Sequence, residues 1–352
     1  MDDLRERLRR VRMPAPPVLD GGETADTISR IEELVRYWRD SYDWRRQEKR
    51  LNAFPQFRSS TGLHYLRIPG TGRDPLPLLL TNGWPSSFVE YLNVLGPLSA
   101  NFTVVVPTLP GFGFSDRYAT DDVSQELVAD LFDQLMVSEL GHRHYVAHGD
   151  DIGGGIVNRL GQHHADSVLA IQTANPLSPP AALTDAERDF VAAEQEWDAT
   201  EGAYAHVQET RPQILAYGLN DSPLGLAAWI LEKFLTWSDP ATRDQLSADD
   251  LLTTVMIYWV TETISTSMRR YALPYKPLLP GESVPVPTSV LLPHEPKLPV
   301  PPESWLRRAY PNLTRRVVLG EGGHFLALES PSRFVAEIEA AFRPYFPSPD
   351  KP

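Results

Sequence analysis

The sequence predicts an α/β fold: a mostly parallel sheet flanked by helices and interrupted by one helical insertion. Short Val/Leu/Ile runs recur without polar alternation, which suits strands buried on both faces of a parallel sheet. Helix-period stretches separate these runs. Between about residues 177 and 285 the alternation stops and only helical periodicity remains.

Taken in order, residues 24–50 place Ile31, Leu34, Val35, Trp38 and Tyr42 at spacings of three and four, and predict a helix. Its charged end, Asp43 to Arg50, reads as a solvated helix face and not as a nucleic-acid patch. Residues 1–52 form an N-terminal helical extension. Strands are expected at 63–68, 76–81, 102–107, 144–148, 168–173, 288–292 and 315–319, with helices at 86–98, 121–140, 153–164 and 331–343. These make a core of 53–176 and 286–352. The insertion, 177–285, opens with a capping-box pattern from Thr184 to Glu187 and continues with helices near 184–199, 223–236 and 249–268. An insertion after the fifth or sixth strand covers the carboxyl ends of the strands, where open α/β sheets bind ligands, so it reads as a lid.

Composition narrows the function. The chain has 352 residues, 42% hydrophobic and 22% charged, a globular balance. A formal charge of −13 disfavours electrostatic binding to nucleic acid or anionic membranes. With no cysteine, disulfide scaffolds, Cys-based zinc sites, iron–sulfur clusters and cysteine nucleophiles are excluded. No run of about eighteen apolar residues could span a membrane, and the charged start does not resemble a secretory signal, so a cytoplasmic location is expected. Proline is the outlier: 33 of 352 residues, or 9.4%, against about 5% on average. Ten of these 33 fall between Pro274 and Pro302, where they read as stiffened loops returning the chain from the insertion to the sheet.

The most informative stretch is Gly149-Asp-Asp-Ile-Gly153, between an apolar strand and a helix. This strand–turn–helix context is that of a nucleophile elbow, Gly-x-Nu-x-Gly, with Asp151 at the nucleophile position. Asp150 fits less well, because it would put His148 and Ile152 at the two small positions. A carboxylate is already an anion at neutral pH and can attack an alkyl centre to form an ester. A helix N-cap is the competing structural reading. In folds built around such an elbow, a loop after an earlier strand supplies one oxyanion-hole N–H and the residue after the nucleophile supplies the other. Thr81-Asn-Gly-Trp-Pro85 follows such a strand, so the donors are Trp84 and Ile152. His324, on the glycine-rich loop Gly320–Phe325, lies beyond the last strand and is the candidate base. Glu295, 29 residues earlier, is the candidate acid that orients it; Asp121 and Asp122 stay open as alternatives, and Glu321 lies too close in sequence. His142 and His144 make an H-x-H pair without an evident third metal ligand.

At these residues the chain resembles the epoxide hydrolases of the α/β-hydrolase fold, of the microsomal-type group that includes juvenile hormone epoxide hydrolases. The stretches carrying the resemblance include Asn82-Gly-Trp-Pro85, Pro107–Ser115, Tyr217–Gly225, Trp229–Phe234 and Gly322–Glu329. It implies a sheet of about eight strands, a helical cap and two-step hydrolysis of an epoxide to a vicinal diol, with neither cofactor nor metal. By motif it implies that Tyr204 and Tyr271, from the cap, donate to the epoxide oxygen. Asn82, Pro85, Trp229 and Trp259 are expected at the substrate, a small-molecule epoxide, bulky or aromatic. Two departures stand out: Asn82 replaces the family histidine, and Ile152 replaces a common aromatic residue. Alternatives are an epoxide-opening cyclase or isomerase, another non-hydrolytic member of the fold, and a dehalogenase. Oligomeric state stays open.

Overall fold

All seven apolar runs form strands, and a short edge strand joins them. In chain order they are β1 (Gln56–Arg58), β2 (His64–Ile68), β3 (Leu76–Thr81), β4 (Phe102–Pro107), β5 (Tyr145–Gly149), β6 (Val168–Thr173), β7 (Thr288–Leu292) and β8 (Leu313–Val318). The computed structural model describes residues 1–15, 22–118, 123–273 and 276–346. Among these, the strands form one sheet in the order β1-β2-β4-β3-β5-β6-β7-β8. β1 and β2 pair antiparallel, as do β2 and β4, and every later pairing is parallel. β4, β5 and β7 are buried at every residue, as their unbroken apolar runs require. β8 departs from that pattern: it is an edge strand whose residues alternate between half-buried and exposed, and this is how Arg315 and Arg316 fit in it. β1, Gln-Phe-Arg, carries no apolar run and left no periodic signal.

The helices differ from expectation where local chemistry interrupts the period. The expected 24–50 helix is two helices, Glu23–Asp40 and Trp44–Leu51. Asp43 breaks it by capping the second, accepting from the N–H groups of Arg45 (2.9 Å) and Arg46 (3.3 Å). The Ala248–Thr261 helix ends at Glu262, left-handed at φ 53°, before a short helix at Ile264–Met268. The capping box at Thr184 forms, with Glu187 N–H donating to Thr184 Oγ1 at 3.2 Å and Thr184 N–H to Glu187 Oε2 at 3.3 Å. Two helices without a sequence expectation, Ala203–Thr210 and Pro212–Asp221, are framed by Gly202 and by Pro212 at a first helical position.

The N-terminal helices hold onto the insertion. The Glu23–Asp40 helix packs on the Pro223–Trp237 helix. Tyr37 Oη donates to Asp249 (2.9 Å), Arg7 pairs with Asp221 (2.9 Å), and Arg50 pairs with Asp250. The proline-rich return is tied in along its length: Leu278 N–H bonds Ser178 O (3.2 Å), Val284 N–H bonds Ala309 O (2.9 Å), and His294 N–H bonds Gly322 O (2.8 Å). Pro274 and the C-terminal prolines Pro347, Pro349 and Pro352 lie outside the described residues. Among the described residues no helix is long and apolar enough to cross a membrane.

Candidate active site

Strand β5 ends at Gly149 and the Asp151–His163 helix begins two residues later. The turn forces Asp151 to φ 44°, a strained value for a residue with a side chain. Two glycines make the turn feasible. A Cβ at Gly153 would collide with the carbonyl of Thr81, and one at Gly83 would collide with the Asp151 carboxylate itself.

That carboxylate meets two backbone donors. Its Oδ1 accepts from Ile152 N–H at 2.7 Å and from Trp84 N–H at 3.0 Å. Two N–H groups converging on one oxygen form a preorganised anion hole. Asn175, just past β6, buttresses the turn by donating from Nδ2 to the backbone oxygen of Asp151 at 2.9 Å. Burial pushes the Asp151 carboxyl up; facing His324 and the two N–H donors oppose that shift.

His324 faces the other oxygen, with Nε2 at 3.9 Å from Asp151 Oδ2. Its Nδ1 is hydrogen-bonded to Glu295 Oε2 at 2.7 Å. Burial disfavours the imidazolium, but the charge and hydrogen bond of Glu295, with Asp151 and Asp150 nearby, outweigh this and raise its pKa to about 10. The loop carrying His324 is fastened by Glu329, a fully buried acid. Its Oε2 accepts from Asp239 N–H (2.9 Å), Gly323 N–H (2.9 Å) and Thr242 Oγ1 (2.7 Å), and its Oε1 from Phe325 N–H (3.0 Å). Asp121 and Asp122, the alternative acids, lie outside the described residues.

Tyr204 and Tyr271 come down from the helical insertion. Tyr204 stacks on Trp84 with ring centres 5.6 Å apart, and Tyr271 meets the same indole edge-on at 5.9 Å. The two phenols interact with each other, and burial pushes both up, so they stay protonated at neutral pH. Asp151, His324, Glu295, Tyr204 and Tyr271 all line one cavity of about 460 Å³, a volume suited to a small organic molecule. Its walls also include Trp197, Trp237 and Ile152.

Known proteins resemble this chain over nearly its whole length. Residues 1–91 match the model of the epoxide hydrolase N terminus, and residues 77–216 that of the alpha/beta hydrolase fold. The chain is 32% identical over 382 residues to the juvenile hormone epoxide hydrolase of Bombyx mori, covering 96% of this chain and 82% of that protein. The chain belongs to the epoxide hydrolase family. Epoxide hydrolase 1 of Sus scrofa is 30% identical over 396 residues, covering 96% of this chain and 85% of that protein. Among solved structures, the Bombyx mori juvenile hormone epoxide hydrolase superimposes with a TM-score of 0.86 at 29% identity, covering 98% of this chain and 91% of the other. The Aspergillus niger epoxide hydrolase gives 0.82 at 31% identity, covering 97% and 93%. The eight-stranded α/β-hydrolase fold follows from the same matches.

Four residues expected at the substrate do not line the cavity of this epoxide hydrolase. Asn82 is buried and donates from Nδ2 to Gly83 O at 2.9 Å, and Pro85 is buried beside Trp84. Trp229 donates from Nε1 to Gln208 at 3.2 Å, and Trp259 lies under Arg7, 6.0 Å from the ring centre. Helical periodicity cannot tell an indole facing the N-terminal helices from one facing the cavity. Trp237 takes the place expected for them; its backbone oxygen accepts from His324 N–H at 3.1 Å. Asn175 was not foreseen, although its position just past the carboxyl end of β6 is where ligand-contacting loops emerge. The H-x-H pair stays apart from the site, and no group of three or more His, Asp or Glu able to hold a metal occurs among the described residues.

Proposed function

We propose that this chain performs the epoxide hydrolysis of its family in two steps through a covalent ester on Asp151, in a cavity closed by the helical cap of 177–285 over a core of 53–176 and 286–352, with 1–52 clasping the cap. In the first step the free carboxylate oxygen of Asp151 attacks an epoxide carbon, the carbon–oxygen bond opens, and of the phenols of Tyr204 and Tyr271 both hydrogen-bond the departing oxygen and one gives it a proton. In the second step His324, oriented by Glu295, takes a proton from water. That water attacks the ester carbonyl, and the Trp84 and Ile152 N–H groups hold the resulting oxyanion. One proton of that water passes through His324 to the departing glycol oxygen and the other returns to the phenolate, so the vicinal diol leaves with Asp151 and the phenol restored.

One observation carries this reading: both backbone donors converge on Oδ1 of Asp151 while His324 faces Oδ2. A donor pair on a carboxylate that only capped a helix would serve no chemistry. A carboxylate that becomes an ester needs those donors when its carbonyl is attacked. The charge state of His324 follows the same cycle. Esterification removes the Asp151 anion, one of the groups that hold the imidazole protonated, and so frees it to act as base. Two phenols from the cap line the cavity with the nucleophile, which favours protonation of a ring oxygen over capture of a halide. The aromatic walls Trp197 and Trp237 favour a bulky or aryl epoxide. Mass spectrometry of rapidly quenched enzyme with styrene oxide tests the proposal: the peptide containing Asp151 is expected to gain the mass of the substrate.

A further inference from the structure

Arg270 lies next to the phenol-bearing Tyr271, on the short turn Arg269–Ala272. It lines the catalytic cavity and also a narrow slot that shares Ile152 and Leu273 with it. The slot runs beside Leu109, Phe112, Val128 and Ile156, and no carboxylate lines it among the described residues. The catalytic cavity differs, with Glu194, Asp198 and Glu209 lining it in addition to the catalytic acids. Asp198 there is already paired with His206 at 3.1 Å. Arg270 is half-buried, its Nε is buried without a hydrogen-bond partner, and no ion pair engages it among the described residues. Glu126, the nearest acid it senses, is engaged by Arg159 at 3.4 Å and Lys276 at 3.6 Å.

A guanidinium whose Nε is buried, with no partner among the described residues, is costly, and an anion supplied by a ligand removes that cost. The planar fork of arginine suits a planar carboxylate. The mostly apolar slot suits a short hydrocarbon arm that passes Ile152 into a space lined by no carboxylate among the described residues. We propose that the substrate is an epoxide bearing a carboxylate on an apolar arm, and that Arg270 binds this carboxylate. The inference rests on the epoxide hydrolase reading and deepens it.

The test uses terminal-epoxide alkanoic acids of graded chain length, each compared with its primary amide. At the best length the wild-type enzyme is expected to favour the acid about tenfold or more in kcat/KM, as one charge-assisted contact provides. Arg270→Gln should bring that ratio to about one, and Arg270→Lys should keep part of it. Amides and acids turned over equally at every length by the wild type would overturn the inference and leave epoxide hydrolysis intact. Calorimetry with the saturated alkanoic acids reads the anion site without turnover. Binding by the wild type that Arg270→Gln loses supports the inference even if no epoxide is opened, and absence of binding overturns it.

Discussion

His324 Nε2 stands 3.9 Å from Asp151 Oδ2, beyond hydrogen-bonding distance yet close enough for each charge to act on the other. The histidine is therefore not a base that activates the nucleophile, as it would be beside a serine. In the proposed cycle it acts in the later step. The two steps should accordingly separate by mutation.

Replacing His324 by Gln should leave ring opening in place and stop ester hydrolysis. One equivalent of substrate is consumed in a burst, and the modified protein accumulates. Steady-state turnover should fall by about 10³-fold or more. Asp151→Asn should abolish both the burst and the adduct. Quench-flow with intact-protein mass spectrometry reads both.

Tyr204→Phe and Tyr271→Phe should act on the opposite side. Each removes a proton donor to the departing oxygen and should slow ring opening about 10²-fold. Ester should then fail to accumulate. The same quench-flow experiment distinguishes this from the His324 variant.

Stability should fall with rising pH in two windows. Burial first, with Asp151 adding and His324 opposing, raises the Asp150 pKa to about 7 from 3.8. The folded protein thus keeps a proton that the unfolded chain releases, and it loses stability as pH rises from about 4 to about 7. Burial lowers the His324 pKa, but Glu295 and Asp151 raise it from 6.5 to about 10. Its stabilising contribution is complete below about 6.5 and is lost as pH rises through about 10. Urea unfolding across pH should show both declines, with Asp150→Asn removing the first and His324→Gln the second.

Glu329 should act through His324. An amide at this position would turn its NH2 toward N–H donors, so Glu329→Gln should destabilise the protein by about 2–4 kcal/mol. It should slow ester hydrolysis more than ring opening, because its partners Gly323 and Phe325 flank His324 and not Asp151. Denaturant titration and single-turnover kinetics check the two effects.

The parallel strands were legible because burial on both faces leaves an unbroken apolar run, as in Phe102–Pro107. Gln56–Arg58 was not, since an edge strand held by backbone pairing to β2 needs no such run. At the site, Asp151 could be located because an elbow needs glycine on both sides in one short window. Trp84, Glu295 and His324 followed from their order around the strands. Trp229 and Trp259 misled because which side an indole faces depends on what packs there: Gln208 of the insertion for Trp229 and Arg7 of the first helix for Trp259. Arg270 carried no local signal; it stands out only once the fold places it against a mostly apolar slot with no partner among the described residues.

The central claim is that an ester forms on Asp151 and that water attacks its carbonyl. A single turnover in oxygen-labelled water, with enzyme in excess, tests this most directly. Label is expected in the carboxylate of Asp151, while the diol keeps the unlabelled oxygen that the carboxylate donated. Label in the diol with none in Asp151 would contradict it, because water would then have opened the epoxide directly.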